Sequence, residues 1–545
     1  MSTAPAAVLA LALLAAAGAL PVVALVGLRP LSVPLAPLGG AVLAALAATG
    51  CLVLGGSILG WFVVLGVLAG ATVVIVWVSR PGTQPWARDL ATGSTGQGPV
   101  AGGGRLDRFI PWLGAGAVTA AAAASLVALR ARSVGFDARS IWLLHGRWFA
   151  AGHDVALPAL RNPAVPFAHA SYPPLIGGAV AVSWLVTGNR SDELGVVVIA
   201  LLNACAVVAA AWAAVEIGRR CGGRVAEHHA HHGTEPGRGR LEAPAVAGIL
   251  VATLLVLVAF GVAGPFATDG YADLLWAASA TGAVAFGLVL PGRGPDLAAA
   301  AVLLAVAGLT KNEGIATAMV IVVLITARVA RATRLGRPGE VPWRPLAAGA
   351  AGLVALGVWP VLMVLLGAAG NLAVPGARQG DFWSRARLTY DAMGQHLEVL
   401  VVAVPLAVAA GLVLRRARRA VGVGHDAWAW AVLAAGMLLV AGVYVTGPGN
   451  VAFWLATSAH RTTDFPALCA WWIIGTWAIV GTAQGAVRSR AAPPSAPPER
   501  AGTPGPRVDR TDPVAVAAAA SGPVATGDER AALDGDRAAV LHHQP

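Results

Sequence analysis

Long apolar runs separated by short polar segments dominate the chain. Most of these runs approach the roughly 20 residues that a helix needs to cross a bilayer. We place them at 6–27, 37–55, 57–78, 109–131, 194–218, 243–263, 271–291, 297–328, 346–368, 397–414, 427–446 and 466–487. The run 297–328 is too long for one crossing and is interrupted at Thr310–Gly314, which predicts two short helices that meet at a polar turn. The pattern therefore predicts an all-α, polytopic membrane bundle of about 13 crossings.

The composition agrees with this pattern. Of 545 residues, 57% are hydrophobic and 12% are charged, whereas soluble domains carry about 25% charged residues. The mean hydropathy is +0.71, and so much apolar surface needs lipid as its solvent. Because the chain is rich in Ala, Gly and Arg and poor in Lys, it resembles the product of a GC-rich bacterial genome. We therefore expect a multi-pass protein of the bacterial cytoplasmic (plasma) membrane.

The positive charge predicts the orientation of the helices. The net charge of +11 would raise the question of nucleic acid in a soluble protein, but here arginines cluster in short segments, as the positive-inside rule expects. We place the basic segments in the cytoplasm: 80–108, 219–240, 328–344 and 415–419. The alternate loops then face outward: 132–193, 264–270, 311–314, 369–396 and 447–465. This order requires that 173–189 does not cross, and its Pro-Pro start predicts a helix at the membrane interface.

The same reading divides the chain into four parts. Residues 1–80 form a three-helix membrane extension, and 81–108 form a cytoplasmic linker. Residues 109–487 form the membrane core, whose long first outer loop carries interfacial helices. The tail 488–545 is rich in Pro, Ala, Gly and Asp, so we expect a disordered cytoplasmic extension.

Two clusters of polar residues lie in the first outer loop. Asp137 follows the apolar run 109–131, and an acid at the mouth of a helix bundle can deprotonate an acceptor hydroxyl. The nearby Arg139 is suited to binding phosphate or orienting the acid. His169 and Tyr172 precede a Pro-Pro pair and offer hydrogen bonds and a ring face to a sugar. The structural alternatives are an interfacial salt bridge and an ordinary interfacial aromatic turn.

A very short outer loop, Ala267–Asp273, carries two acids. Asp273 enters the next apolar run, and ionisable groups at membrane depth cost about 2.5–3.5 kcal/mol on insertion scales. Such residues are therefore candidates for function. The alternative for Asp269 is helix capping, because a carboxylate there satisfies free backbone N–H groups.

Two further candidates lie later in the chain. Lys311 is the single lysine, it stands with Glu313 at the predicted break between two apolar helices, and its ammonium is suited to a lipid-linked phosphate. The alternative is a Lys311–Glu313 pair that only caps the turn. His460 and Arg461 in the last outer loop suit phosphate or sugar binding, and the alternative is a capped helix start.

One cluster with the appearance of a metal site is discounted. His228, His229, His231 and His232 lie in a Gly- and Arg-rich cytoplasmic segment, and solvated low-complexity sequence explains them better. We expect no cofactor, and the residues do not support a divalent metal.

Taken together, these stretches resemble the GT-C superfamily of membrane glycosyltransferases, which includes protein O-mannosyltransferases and bacterial aminoarabinose and lipopolysaccharide-sugar transferases. The resemblance covers roughly 109–487 and depends on order and spacing. Its parts are Asp137, the Tyr-Pro-Pro-Leu motif Tyr172–Leu175, the helix end at Arg219 and Arg220, the acids Asp269 and Asp273, the turn Leu309–Gly314, and Arg461.

The resemblance implies an inverting transfer from a polyprenyl-phosphate sugar. Asp137 would be the general base, and Lys311, Arg461 and Arg139 would hold the donor phosphate. The residues implied in sugar or acceptor binding are His169, Tyr172, Asp269, Asp273, Glu313 and His460. Many relatives carry a second acid beside the first, whereas Ala138 and Arg139 follow here, which argues against a metal-dependent scheme.

The expected partners are membrane lipids, the lipid-linked sugar and an envelope acceptor, which could be a glycan, a lipid or a protein. Two other classes stay open. A transporter or flippase for a lipid or small solute would also use acids and a lysine at membrane depth, but it predicts an inverted internal repeat. A non-catalytic envelope scaffold predicts that Asp137→Ala leaves function intact.

Overall fold

The computed structural model describes residues 1–78, 105–129, 133–231, 238–290, 294–334, 343–368, 380–413, 427–447 and 450–488. All regular secondary structure in these ranges is helical, which confirms the all-α prediction for this part of the chain. The helices are α1 (Thr3–Val26), α2 (Ser32–Leu54), α3 (Ile58–Val78), α4 (Arg105–Ala128), α5 (Leu143–Ala151), α6 (His153–Arg161), α7 (Leu175–Thr187), α8 (Asp192–His231), α9 (Arg238–Ala263), α10 (Asp273–Val284), α11 (Gly294–Thr310), α12 (Asn312–Arg334), α13 (Trp343–Leu365), α14 (Phe382–His396), α15 (Val399–Val413), α16 (Ala427–Thr446), α17 (Val451–Thr462) and α18 (Asp464–Arg488).

Some predicted parts lie outside the described residues. These are most of the linker 81–108, the basic segment 415–419 and the tail after Arg488. The described helices belong to one structural unit, Met1–Ala491.

Many of the described helices have the length and composition of membrane-spanning segments. In the described ranges, nine helical segments are long and apolar enough to cross a membrane, and the bent pair α14–α15 makes up to ten. Shorter apolar helices lie at Leu175–Thr187, Asp273–Val289, Gly294–Thr310 and Gly352–Leu365. The figure of about 13 crossings requires the bent pair and three of these shorter helices to cross as well, so that count stays a prediction.

The break predicted in the long run 297–328 is present, but it is shorter than expected. Helix α11 ends at Thr310 and α12 begins at Asn312, so Lys311 alone separates them. Glu313 and Gly314 lie in the first turn of α12. Gly314 allows the close approach of the two helices, because an added Cβ would meet the carbonyl oxygen of Ala307 at 2.0 Å.

The N-terminal helices, which we predicted as a three-helix membrane extension, pack against helices of the core. Helices α1 and α2 pack through small residues, since a Cβ at Gly18 would lie 2.1 Å from the Ala36 carbonyl oxygen and one at Gly40 would lie 2.0 Å from that of Leu14. Such close contacts are typical of helices packed in lipid. Helix α2 also packs against α7, α8 and α11. Residues 1–54 therefore form part of the bundle.

Helix α7, in the run 173–189 that we predicted to lie at the membrane interface, is enclosed by other helices. Residues 175–184 are all buried, and the helix packs on α1, α2, α5 and α8. At Gly178 an added Cβ would meet the Ala44 carbonyl oxygen at 2.7 Å. The short apolar run is thus explained by burial against neighbouring helices.

Helix α8 is longer than the predicted run 194–218. It has 40 residues, or about 60 Å at 1.5 Å per residue. The basic segment predicted as a loop at 219–240 is therefore helical as far as His231.

Candidate active site

Asp273 is the centre of a buried ion cluster. It begins α10 and is 2% exposed. One carboxylate oxygen accepts a hydrogen bond from Lys311 Nζ at 2.7 Å, and the other accepts one from Arg461 Nη1 at 3.2 Å. Two cations from distant parts of the sequence are thereby held on one acid, as buried charges require.

Arg461 joins this cluster to Asp137. It lies in the last turn of α17 and is buried. Its Nη1 also pairs with a carboxylate oxygen of Asp137, and its Nη2 donates to the Thr457 carbonyl at 3.2 Å. The side chain of Asp137 is 18% exposed and that of Asp273 is 3% exposed. Of these two acids, Asp137 is therefore the one that an incoming molecule can reach.

Lys311 lies at the break between α11 and α12 and contacts two acids. Besides Asp273, its Nζ lies 3.4 Å from Glu313 Oε1. The same nitrogen lies 5.9 Å from the centroid of the Tyr172 ring, where the face of the ring attracts a cation. The Lys311–Glu313 pair that we considered as a simple turn cap is present, but the stronger contact of the lysine is with Asp273.

Tyr172 lies in a stack of three rings. Its ring is parallel to those of Trp142, at 5.5 Å between centroids, and His169, at 4.8 Å. His169 has a φ of 49° and is the one non-glycine residue with positive φ in the described ranges, which is a strained conformation for such a residue. Burial, together with the charge of Lys311, lowers the pKa of His169. The stack therefore presents a neutral imidazole beside the ion cluster.

The loop that precedes α10 holds the Asp137 segment in place. The Gly135 amide donates to the Asp269 carbonyl at 2.9 Å. Asn203 of α8 donates to the carbonyls of Ala267 and Tyr271 at 2.9 and 3.3 Å. The Tyr271 ring in turn lies 4.7 Å from the guanidinium carbon of Arg461. This loop therefore positions both partners of the Asp137–Arg461 pair.

Substitution of Gly270 by alanine is expected to separate these two segments. Gly270 has a φ of +87°, and an added Cβ would lie 2.6 Å from the Cβ of Ala138. Overpacking of this kind typically costs about 1–3 kcal/mol. Gly264→Ala is the matched control, because Gly264 lies in the same loop with a φ of +55° and has nothing within 4 Å of its added Cβ. Thermal unfolding in detergent would compare the two, and equal destabilisation would contradict the close packing.

Several buried polar atoms around the cluster have no hydrogen-bond partner among the described residues. They are Arg461 Nε, Glu313 Oε2, His460 Nε2, Trp276 Nε1 and both carboxylate oxygens of Asp464. Leaving such an atom unpaired costs about 1–3 kcal/mol, so their concentration in one place is typical of a binding site. Asp464, which is 2% exposed, was not singled out from the sequence. The sequence did offer a signal for Asp464, because this acid lies three residues after Arg461 and directly precedes an apolar run.

Of the remaining predicted residues, His460 and Asp269 lie next to the ion cluster or to the Asp137 segment, whereas Arg139 lies apart from the cluster. His460 packs on Phe266 at 4.7 Å and on His396 at 6.0 Å between ring centroids, beside Arg461. Asp269 is half-buried and contacts the Asp137 segment through its backbone. Arg139 is exposed, and its backbone N–H donates to the Gly135 carbonyl at 3.1 Å. Its side chain makes no hydrogen bond or ion pair within the described ranges, so the structure does not bring it into the cluster.

In the described ranges, no group of three or more His, Cys, Asp or Glu residues could hold a metal ion. The side chains of the histidine cluster at 228–232 lie outside the described residues.

A second ion cluster lies further along α8. Arg220 donates to both carboxylate oxygens of Asp296, at 2.8 and 2.9 Å, and also pairs with Glu216 at 2.6 Å. Arg219 pairs with the same glutamate at 2.8 Å. Since Glu216 lies 13 residues after Asn203, the two clusters are about 20 Å apart along this helix.

Acidification is expected to destabilise the fold through His145. This histidine is buried beside Trp148, and burial lowers its pKa from the usual 6.5 to about 4. Below pH 6.5 His145 is protonated in the unfolded state, whereas in the folded state it stays neutral until the pH falls to about 4. Stability is therefore complete above pH 6.5 and is lost as the pH falls toward 4, by about 3 kcal/mol from this group.

Unfolding of His145→Gln between pH 7 and 4 is the measurement that checks this expectation. The variant should lose less stability on acidification than the unsubstituted protein. His396→Gln, at an exposed position on α14, is the control and should keep the original pH profile. Identical profiles for all three proteins would contradict the role of His145.

The chain was also compared with known proteins. No protein-family model, curated protein or solved structure matches it.

Proposed function

We propose that this protein is a membrane glycosyltransferase that moves a sugar from a polyprenyl-phosphate carrier to an envelope acceptor, on the outer face of the bacterial plasma membrane. The observation that carries the proposal is the pairing of the accessible acid Asp137 with Arg461. The same nitrogen of Arg461 also contacts Asp273, which holds the second buried cation, Lys311. A carboxylate next to two desolvated cations is suited to a reaction that releases a phosphate.

The two cations suit the donor. A polyprenyl-phosphate sugar is a phosphodiester with one negative charge, and arginine and lysine bind phosphate oxygens strongly where water is excluded. Both cations are already held by acids, so binding would exchange an internal ion pair for one with the donor. The orphaned Arg461 Nε provides a further N–H for such a ligand. Arg139 is left out of this assignment because it is exposed.

The reaction would proceed as one displacement. Asp137 takes the proton of the acceptor hydroxyl, and the hydroxyl oxygen forms a bond to the anomeric carbon. The bond between that carbon and the phosphate oxygen breaks, and its electron pair leaves with the polyprenyl phosphate. Lys311 and Arg461 stabilise the developing charge. Attack from the face opposite to the leaving group inverts the anomeric carbon, as in inverting glycosidases.

The ring stack suits the sugar. Tyr172 and the neutral His169 lie beside Lys311, so a sugar attached to a phosphate on this lysine would meet polar ring atoms. Glu313, with one unpaired oxygen, is suited to accept a sugar hydroxyl. The proposal includes a GT-C-like core of about 13 crossings, with the cluster facing outward because its loops alternate with the arginine-rich segments.

A transfer assay in nanodiscs tests the proposal. Radiolabelled polyprenyl-phosphate hexoses and pentoses would be offered with an envelope extract, and the labelled product would be analysed for its anomeric configuration. Transfer with inversion is the expected result. Transfer with retention would contradict the single displacement.

A transporter is the second candidate, and the second ion cluster favours it. Charged residues at Glu216, Arg220 and Asp296 add polar groups at another depth of the same bundle, as a translocation pathway requires. If the full donor panel gave no transfer while labelled lipid crossed the bilayer of proteoliposomes, this candidate would replace the glycosyltransferase. If neither sugar transfer nor lipid translocation were detected, the non-catalytic scaffold would be the remaining candidate.

A further inference from the structure

Helix α14 has a protein-facing side that is fixed by an unusual arginine. Its buried residues are Arg385, Thr389 and Met393, spaced four apart. Arg385 is 1% exposed and donates to the carbonyls of Val445 at 2.9 Å, Tyr444 at 2.7 Å and Gly447 at 2.7 Å. A cation at these carbonyls stabilises the end of α16. This side of α14 is therefore anchored on the bundle.

The opposite side of α14 exposes aromatic rings. Trp383 and Tyr390 are both 78% exposed, and the exposed Arg387 lies between them in sequence. The spacings of four and three residues place these side chains on one face of the helix. Phe382 and Leu388 flank them and are about half exposed. The open face thus combines two amphipathic rings with one cation.

Helix α15 shows where this face lies relative to lipid. It follows α14 after a bend of 78°, and it has no charged residue between Val399 and Val413. Most of its described side chains are exposed, with Val401 at 74% and Leu412 at 75%, whereas Ala403 is buried, so it requires lipid around its open side. A helix at nearly a right angle to one that enters the bilayer lies close to the plane of the membrane surface.

We propose that α14 is a membrane-surface helix whose open face binds the phospholipid headgroup layer. Trp383 and Tyr390 lie among the headgroups, where such rings concentrate in membrane proteins. Arg387 contacts lipid phosphates, and the partner is therefore a bilayer surface, most strongly an anionic one. The proposal does not depend on sugar transfer, because it rests on exposure, helix geometry and charge alone.

The surface helix is connected to the candidate active site. Helix α14 packs against α17, which carries Arg461, and the rings of His396 and His460 lie 6.0 Å apart. A lipid-bound α14 would therefore set the height of α17 relative to the membrane. In this way the contact of α14 with the headgroups would also fix the height of the ion cluster relative to the membrane surface.

Spin-label depth measurements test the proposal. Trp383→Cys and Tyr390→Cys would be labelled in the full chain in nanodiscs of phosphatidylcholine and phosphatidylglycerol, with the unsubstituted protein measuring any labelling of the native cysteines. Accessibility to oxygen and to an aqueous nickel chelate would be compared with that of lipids labelled at the headgroup and along the acyl chain. Val408→Cys, at a 60% exposed position nearer the middle of α15, is the matched control for the hydrocarbon layer.

Labels at 383 and 390 are expected at headgroup depth, and the label at 408 is expected deeper. Aqueous values at both 383 and 390 would overturn the proposal. A label at Arg387→Cys should become several-fold more accessible to the nickel chelate when Trp383 and Tyr390 are both changed to serine. An unchanged label at 387 would contradict anchoring by the two rings, and both changes lie at exposed positions that leave the buried face of α14 intact.

Discussion

Replacement of Asp137 by asparagine is expected to lower the rate of sugar transfer by about 10²–10⁴-fold, which is the contribution of a positioned general base. Asparagine keeps the size of the side chain and still offers an oxygen to Arg461, but it does not take up the acceptor proton. Arg461 retains its hydrogen bond to Asp273 at 3.2 Å, so the fold should be little affected. The turnover number and the donor affinity would be measured separately, and the loss should appear in turnover.

Asp154→Asn is the matched control for this variant. Asp154 is an exposed acid on α6, in the same predicted outer loop, 132–193, and its loss should leave transfer unchanged. Normal turnover in Asp137→Asn would remove this residue from the mechanism and would indicate that a different group is the base. If Asp137→Asn failed to bind donor lipid, its role would be in binding.

Replacement of Lys311 by methionine is expected to destabilise the protein by about 3–5 kcal/mol, the usual cost of breaking a buried ion pair from one side. The change leaves Asp273, which is 2% exposed, with Arg461 as its remaining cation. It also removes the lysine that we assign to the donor phosphate, so equilibrium binding of the lipid donor should weaken. Chemical or thermal unfolding in detergent would measure the first effect.

A double-mutant cycle separates the pair from other effects of the substitution. Lys311→Met combined with Asp273→Asn removes both charges, and it should be less destabilising than the sum of the two single changes. Arg147→Gln is the control, because it breaks the exposed pair with Asp192 and should cost at most about 1 kcal/mol. A cost for Lys311→Met as small as that of the control would contradict a desolvated pair.

Much of the architecture could be predicted from local sequence. The apolar runs identified the helices because residues that cannot be solvated by water must lie in lipid or in a core. The break within 297–328 was predicted because Lys311 and Glu313 interrupt an apolar run, and the structure places Lys311 between two helices. The candidate acids and cations were recognised for the same reason, since ionisable groups are rare in such runs.

The tertiary structure alone decided which of these charges meet. Arg461 contacts Asp137 across 324 residues and Asp273 across 188 residues, and no local pattern encodes such a distance. It also left Arg139 exposed, brought Asp464 beside the cluster as a buried acid without a hydrogen-bond partner, and enclosed α7 within the bundle. Hydropathy specifies that a segment avoids water, whether its neighbour is lipid or protein. The choice of neighbours depends instead on the packing of small residues such as Gly178 and Gly40 between helices, and that packing brings the ion pairs together.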